Sequence, residues 1–580
     1  MMIRIKAFGP ILVLFAAASS LSAETMINPE HAKHAMVASV QIDASRAGAE
    51  IMKQGGNAVD AAVATGFALA VTHSAAGNLG GGGFMLIRMA NGETHFLDYR
   101  EKAPAKATHD MYLDDKGNVL PDASLVGYKA SGVPGSVAGM VYAEKHFGKL
   151  TLQQVIAPAL RLARDGFPLS YEDAEGFQDE NLTKFPESRR IFQRNGKFYE
   201  AGEIFRQPEL AKTLERIAAN PDDFYKGEMA QQIAADMTKG GGLITAKDLA
   251  AYEVKDRPVI RGTYRGYEVL SAPPPSSGGV ALVETLNILE GFDLAKLGNR
   301  SAASMHYTLE AYRRAFFDRS EFLGDPDFAK IPVAQLVDKR YGVAWRETID
   351  PKRATRSGDL KRPAIFANLD RYAELHPPTS NVTESTETTH YSVVDDAGDA
   401  VAVTTTLNGG FGSYVTVEGL GFLLNNEMDD FSSKPGVPNQ YGLVQGEANA
   451  IGPGKRPLSA MTPTIVLKDG KLFMVLGSPG GPRIITTVAN ILMGVTDYGM
   501  NIQQAVNAPR FHNQWLPDEE ILEEGISPDT VRILKQMGHN VVQRDDDHYW
   551  SDGECILIDP KSGERLGASD GRNNGHAVGY

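Results

Sequence analysis

The chain has 580 residues, 42% of them hydrophobic, and a formal net charge of -14. That composition suits a globular chain with a sizeable core and excludes fibrous or disordered classes. With no basic run and no basic stripe interleaved with aromatics, it also excludes nucleic-acid binding as a role, and an anionic small molecule would need a dedicated local cation.

The first residues, "MMIRIKAFGPILVLFAAASSLSAETM", place Arg4 and Lys6 before an apolar run and small residues. This is the layout of an export signal, with the cut expected near Ser22 or Ala23, so residues 1–23 are expected to be removed. The apolar run is too short for a spanning helix, and no later segment reaches about 18 apolar residues, so the mature chain is expected to carry no membrane span. Losing Arg4 and Lys6 makes the charge two units more negative. The single cysteine, Cys555, excludes an internal disulfide and leaves stability to the core.

"AGAEIMKQGGNAVDAAVATGFALAVT" reads as two alanine-rich helices around a turn, stopped by Gly55 and Gly56 and restarted by Asn57 as N-cap. Four glycines then feed an alternating strand, Phe84 to Arg88, and "ANGE" turns it into a second strand ending at Tyr99-Arg100. Residues 140–330 read as mainly helical, interrupted by "SAPPPSSGGV". Residues 350–387 are polar and irregular, and after Thr388 the text is strand-rich with glycine turns, ending in a helix "ITTVANILMGVTDYG". Paired hairpins in both halves with helices between them favour an α+β layered sandwich over a doubly wound parallel sheet.

Several common catalytic arrangements fail. No P-loop or H-E-x-x-H occurs. "HAKH", His31 to His34, lacks neighbouring ligands. Cys555 lies in an apparent strand and reads as buried. "GASDG" would make Ser569 a nucleophile, but the acid and histidine must follow such a serine, and only nine residues remain after Gly571; it reads as a glycine-rich turn. Threonine is left. The hydroxyl of Thr388, in "ETTHYSVV", becomes a useful nucleophile if its own α-amine is the base, and that requires cleavage ahead of it. Strand propensity alone also accounts for a Thr-Thr pair.

"TTHYSVVD", "NNEMDDF", "GPGKRPLSAMTPT", "GSPGGPRIITT", "GGNAVDAAVA", "GNLGGGGFM", "DYRE", "PPPSSGG" and "FLGDPDF" together resemble the bacterial γ-glutamyltranspeptidases, over about residue 34 to the C-terminus. The resemblance implies an N-terminal-nucleophile hydrolase: a four-layer αββα sandwich, made as one precursor that cuts itself between Glu387 and Thr388 into a large subunit, 24–387, and a small subunit, 388–580, which stay together as a heterodimer. It implies that Thr388 attacks first the Glu387 carbonyl and then a γ-glutamyl amide. Thr406 and Asn408 resemble the pair orienting the nucleophile, with the Asn408 amide near substrate. Gly480 and Gly481 resemble the oxyanion hole, Arg100 and Ser459 the contacts to the substrate α-carboxylate, and Glu427 and Asp430 an acidic pair for the α-ammonium, set opposite Arg100. Tyr441 resembles the gating residue of a mobile loop, 434–449, that carries no core residues.

One departure is Ala460 in "PLSAM", where the family has a second serine; a lost hydroxyl costs about 1 kcal/mol if it was bonded, so weaker glutamyl binding is expected. The resemblance thus implies an exported, periplasmic or extracellular γ-glutamyltransferase and glutathione hydrolase. It would use no cofactor or metal and pass the acyl group to water, amino acids or peptides. The alternatives are a cephalosporin or glutaryl acylase on the same scaffold and a secreted binding protein that never matures.

Overall fold

The computed structural model describes residues 28–366, 388–544 and 550–580. The expected signal, 1–23, and Glu387 of the expected cut lie outside the described residues. Two seven-stranded antiparallel sheets face one another. The first runs His576–Gly579, Met36–Ser39, Thr389–Val394, Ala400–Thr406, Gly82–Arg88, Thr94–Asp98, Lys255–Arg257. The second runs Glu30–Ala32, Arg565–Ser569, Glu554–Ile558, Lys471–Leu476, Thr464–Lys468, Tyr267–Ser271, Ile260–Tyr264.

Strand side chains alternate between faces, and here both faces of each sheet are covered, so the strands are apolar on both sides. Met36, Ala38, Phe84, Leu86, Val394 and Ala402 meet Leu270, Ile465, Val475 and Ile556 in the layer between the sheets. Their sequence neighbours Val37, Met85, Ile87, Val393, Val401 and Val403 face outward, against helices Ile42–Lys53 and Ala58–Thr72. Helices Gly278–Leu289, Ala302–Phe322 and Arg483–Thr496 cover the second sheet in the same way. The expected αββα sandwich is therefore present as three apolar layers.

Local chemistry explains the first helical pair. Gly55 takes φ +98°, which closes the first helix, and the Asn57 side chain accepts from the Val59 and Asp60 amides while the Asp60 carboxylate accepts from Asn57 N at 2.7 Å. Outside this pair, helices Leu152–Asp165 and Pro208–Ala219 add a further helical layer. Among the described residues no helix is long and apolar enough to cross a membrane.

Some expectations need correction. The strand after the glycine tract starts at Gly82, and its partner stops at Asp98, because the Arg100 amide turns back onto the Asp98 carboxylate at 3.0 Å. Ser569 ends the strand Arg565–Ser569 and is not in a turn; Cys555 is buried in a strand, as expected. Loop 434–449 does carry core residues: Tyr441, Leu443 and Val444 are all buried, in the layer behind the second sheet.

Candidate active site

The hairpin Thr389–Val394/Ala400–Thr406 pairs Thr389 with Thr405, which brings Thr388 level with Thr406 at the sheet end. Their hydroxyl oxygens lie 3.3 Å apart, and Thr388 is buried to within 7% of its surface. Beyond Thr406 the chain turns sharply: Asn408 takes φ +80°, and its backbone N–H donates to Thr406 Oγ1 at 2.8 Å. The Asn408 side chain is held in turn, its Nδ2 donating to the Asn426 carbonyl at 3.0 Å. The Tyr441 hydroxyl donates to the Asn408 carbonyl at 2.7 Å, which pins the expected gate in place over this turn. His390, next in sequence to the Thr pair, points between the sheets onto Thr404 and Ser392; burial pushes it down to about 3, so it is neutral.

Gly480 and Gly481 take φ +112° and +55° just before helix Arg483–Thr496, so their backbone sits at a helix N-terminus. No side chain fits at either position. A Cβ on Gly480 would lie 2.1 Å from Ser551 Oγ, and one on Gly481 would lie 2.7 Å from the Tyr441 ring.

A narrow pocket beside Thr388 is lined by Arg100, Thr406, Asn408, Glu427, Asp430 and Tyr441, by Ser459, Ala460, Gly481 and Arg319, and by three apolar side chains. The sequence reading set Glu427 and Asp430 across from Arg100. Instead, both carboxylates are in direct contact with its guanidinium, and Glu101 lies 3.7 Å away. Burial alone would lower the Arg100 pKa, but Glu427, Asp430 and Glu101 outweigh it and hold the group above its ordinary value. The carboxylates respond in the opposite sense. Burial raises Glu101 to about 7 and, with Glu101 and Asp430 as like-charged neighbours, raises Glu427 well above its usual range. Three carboxyl groups around one guanidinium cannot all be ionised cheaply in a dry site.

Two residues of this site escaped the sequence reading. Glu101 sits inside "DYRE" yet was passed over for its neighbour. Arg319 lies on helix Ala302–Phe322, in which Glu310, Arg313, Arg314, Asp318 and Arg319 are all buried. A helix with so many charges normally presents a solvated face, and its burial was the missing signal. Arg319 Nε donates to Ser277 Oγ at 2.9 Å, whereas Nη1 has no hydrogen-bond partner. Burial lowers its pKa to about 10, with Asp430 opposing. Ser277, in "PPPSSGG", in turn bonds the Ser459 carbonyl through both its amide, at 2.8 Å, and its hydroxyl, at 2.6 Å. That motif therefore props the Ser459-Ala460 floor. The Ser459 hydroxyl accepts from Met461 N at 3.0 Å. His31 and His34, by contrast, go separately to Glu564 and Asp396 at the surface.

Two facing antiparallel sheets between helices, with a threonine at a strand start beside a compact polar pocket, define a hydrolase of the N-terminal-nucleophile class. The family model described as gamma-glutamyltranspeptidase matches residues 44–580. The chain is 51% identical over 554 residues to the glutathione hydrolase proenzyme of Escherichia coli (strain K12), covering 95% of this chain and 92% of that one. A crystal structure of cephalosporin acylase from Bacillus halodurans superposes with TM-score 0.82 at 27% identity, covering 99% of each chain. One of Helicobacter pylori gamma-glutamyltranspeptidase superposes with TM-score 0.56 at 45% identity, over 58% of this chain and 95% of that one. The chain belongs to the gamma-glutamyltranspeptidase family and is an enzyme of the γ-glutamyltransferase type.

The carboxyl cluster has a consequence for stability. Between the ordinary glutamate value of 4.5 and about 7, folded Glu101 holds a proton that the unfolded chain has released. Its contribution to stability therefore falls as pH rises through that window. Glu101→Gln removes this titration, so its thermal midpoint relative to the parent should climb between about pH 5 and about pH 8. A difference in midpoint that stays constant across that range would contradict the assignment.

Proposed function

We propose that this enzyme cuts its own chain ahead of Thr388 and then hydrolyses or transfers γ-glutamyl groups, with glutathione among its donors. In the first step Thr388 Oγ attacks the Glu387 carbonyl carbon. The peptide C–N bond breaks as the ester forms, the hydroxyl proton going to the nitrogen and freeing the Thr388 amine, and water then opens the ester to give the Glu387 carboxylate and the Thr388 hydroxyl. Residues of about 24–387 and 388–580 result. In the second step the same hydroxyl attacks the carbonyl carbon of a γ-glutamyl amide, the freed amine takes its proton and passes it to the leaving nitrogen, and the amide C–N bond breaks as the γ-glutamyl-Thr388 ester forms. The observation that carries this reading is the 3.3 Å approach of the Thr388 and Thr406 hydroxyls beside the Arg100–Glu427–Asp430 pocket. Neutral His390, turned into the inter-sheet layer, leaves the base role to the α-amine.

Thr406 accepts the Asn408 amide, which leaves its own proton for Thr388 Oγ1. The Gly480 and Gly481 N–H groups serve the oxyanion, each such donor being worth about 3 kcal/mol. The glutamyl head group enters the Arg100 cluster: its ammonium takes over contacts that Glu427 and Asp430 now make with Arg100, and its carboxylate takes the released guanidinium edge, Arg319 Nη1 and the Ser459 region. Ala460 leaves that carboxylate one hydroxyl short. Water, amino acids and peptides act as acceptors, and export to the periplasm follows from the N-terminal signal.

The resemblance to a cephalosporin acylase structure favours one other reading, a glutaryl-type acylase. A pocket built around two carboxylates on an arginine suits a zwitterionic amino-acid end, so turnover of glutathione should exceed that of a glutaryl amide; the reverse order would select the acylase.

Thr388→Ala protein should run as a single full-length band on a denaturing gel and consume no glutathione, whereas two bands from that variant would refute the mechanism. Arg319→Lys should raise KM for a γ-glutamyl anilide about tenfold with kcat little changed, the signature of lost ground-state binding. Ala460→Ser should lower the same KM; a value that stays put would remove the missing hydroxyl from the explanation.

A further inference from the structure

The head-group pocket is assembled from separate stretches of chain. Arg100 follows the strand Thr94–Asp98, Asp430 ends the helical turn Glu427–Asp430, and Ser459 lies in the floor that Ser277 props. One side chain outside the pocket lining ties these stretches together. Asn449, fully buried, ends the helical turn Glu447–Asn449. Its Nδ2 donates to the Asp430 carbonyl and to Gln445 Oε1, both at 2.7 Å, and its Oδ1 accepts from Leu458 N at 2.9 Å. Its backbone carbonyl accepts from Ser432 N at 2.9 Å. Gln445 Nε2 adds a second donor to the Asp430 carbonyl at 3.2 Å. Leu458 precedes Ser459 in the chain, and its own carbonyl accepts from Arg100 Nη2 at 3.4 Å. Asn449 is itself gripped from both sides, because Lys455 Nζ donates to the carbonyls of Ala448 and Ala450, each at 2.8 Å.

We propose that Asn449 is a positioning residue that fixes the spacing between the group reading the substrate ammonium and the groups reading its carboxylate, and so sets how strictly an α-amino acid end is required. This rests on the head-group placement proposed above. An α-ammonium and an α-carboxylate share one carbon, so their receptors must be held at one separation, and a misplacement of about 1 Å is enough to weaken recognition strongly. Asp430 takes the ammonium, whereas Arg100 and the Ser459 region take the carboxylate. Asn449 bonds the backbone of the first and the residue that joins the other two. Both Nδ2 hydrogens point at oxygens that only accept, so the position requires an amide. The isosteric carboxylate of Asn449→Asp would set an oxygen against the Asp430 carbonyl and Gln445 Oε1, and would push Asp430 out of register with Arg100.

The test compares a γ-glutamyl anilide with the glutaryl anilide, which lacks only the α-amino group. In Asn449→Asp, kcat/KM for the γ-glutamyl anilide should fall about tenfold, through KM, while the glutaryl value changes little, so the ratio of the two falls by the same factor. A purely structural role would lower both values alike, and an unchanged ratio would overturn the proposal. Should Asn449→Asp protein not fold, Gln445→Met removes both the acceptor of Asn449 and the second donor to the Asp430 carbonyl. Its ratio should fall about threefold, and a ratio equal to that of the parent would count equally against the proposal. Calorimetry with L-glutamate, and with glutarate as the control lacking the amine, needs no turnover. L-Glutamate should bind Asn449→Asp about tenfold more weakly than the parent. Parent protein that turned over neither anilide, yet bound L-glutamate and lost that binding in the variant, would sink the proposed reaction and uphold this inference. Parent protein that bound no L-glutamate would overturn the inference itself.

Discussion

The site depends on one antiparallel register. Pairing Thr389 with Thr405 sets the hydroxyls of Thr388 and Thr406 at the hairpin's open end beside each other, and a slip of one strand by one residue would send one of them to the opposite face. That register is held from both sides, by Met36–Ser39 against Thr389–Val394 and by Gly82–Arg88 against Ala400–Thr406. It is held also by packing, since Val393, Val401 and Val403 fit the helix layer while Val394, Ala400 and Ala402 fit the opposing sheet. Thr388, the proposed nucleophile, is thus positioned by a deeply buried part of the molecule, where displacement is costly.

Buried charge does the rest of the positioning. Asp98, fully buried, accepts from the Arg100 amide at 3.0 Å and from Arg257 Nε at 2.6 Å, and stands 3.3 Å from Arg456 Nε. Asp325, from "FLGDPDF", accepts the Arg456 amide at 2.8 Å and so ties down the segment leading to Ser459. Such groups are expensive to bury unpaired. As a network they tie the loop segments that carry Arg100 and the pocket floor to strand ends at Asp98 and Arg257.

Much of this was legible in the text of the chain. Asn57, Gly55 and the alternating strands follow local rules, and the hairpins in both halves implied layered sheets. The motif resemblance named most of the residues that line one pocket, Gly480 lying outside its lining. What escaped was of another kind. Arg319 is a charge buried by tertiary packing, and no local pattern separates it from a surface arginine. The collapse of Glu427 and Asp430 onto Arg100 depends on a distance across three segments. Loop 434–449 reads as glycine- and proline-rich, but its few apolar side chains are the ones that pack, and composition averaged them away.

The first sheet alternates strands from either side of Thr388: Met36–Ser39 lies between His576–Gly579 and Thr389–Val394, and Ala400–Thr406 lies against Gly82–Arg88. The second sheet is mixed in the same way, with Tyr267–Ser271 beside Thr464–Lys468. After the proposed scission the two polypeptides would therefore share every layer of their interior. Their union would have no dissociation constant of the usual sort. Parting them would mean melting both, so dilution should leave the pair intact, and neither half made alone would hold a whole sheet.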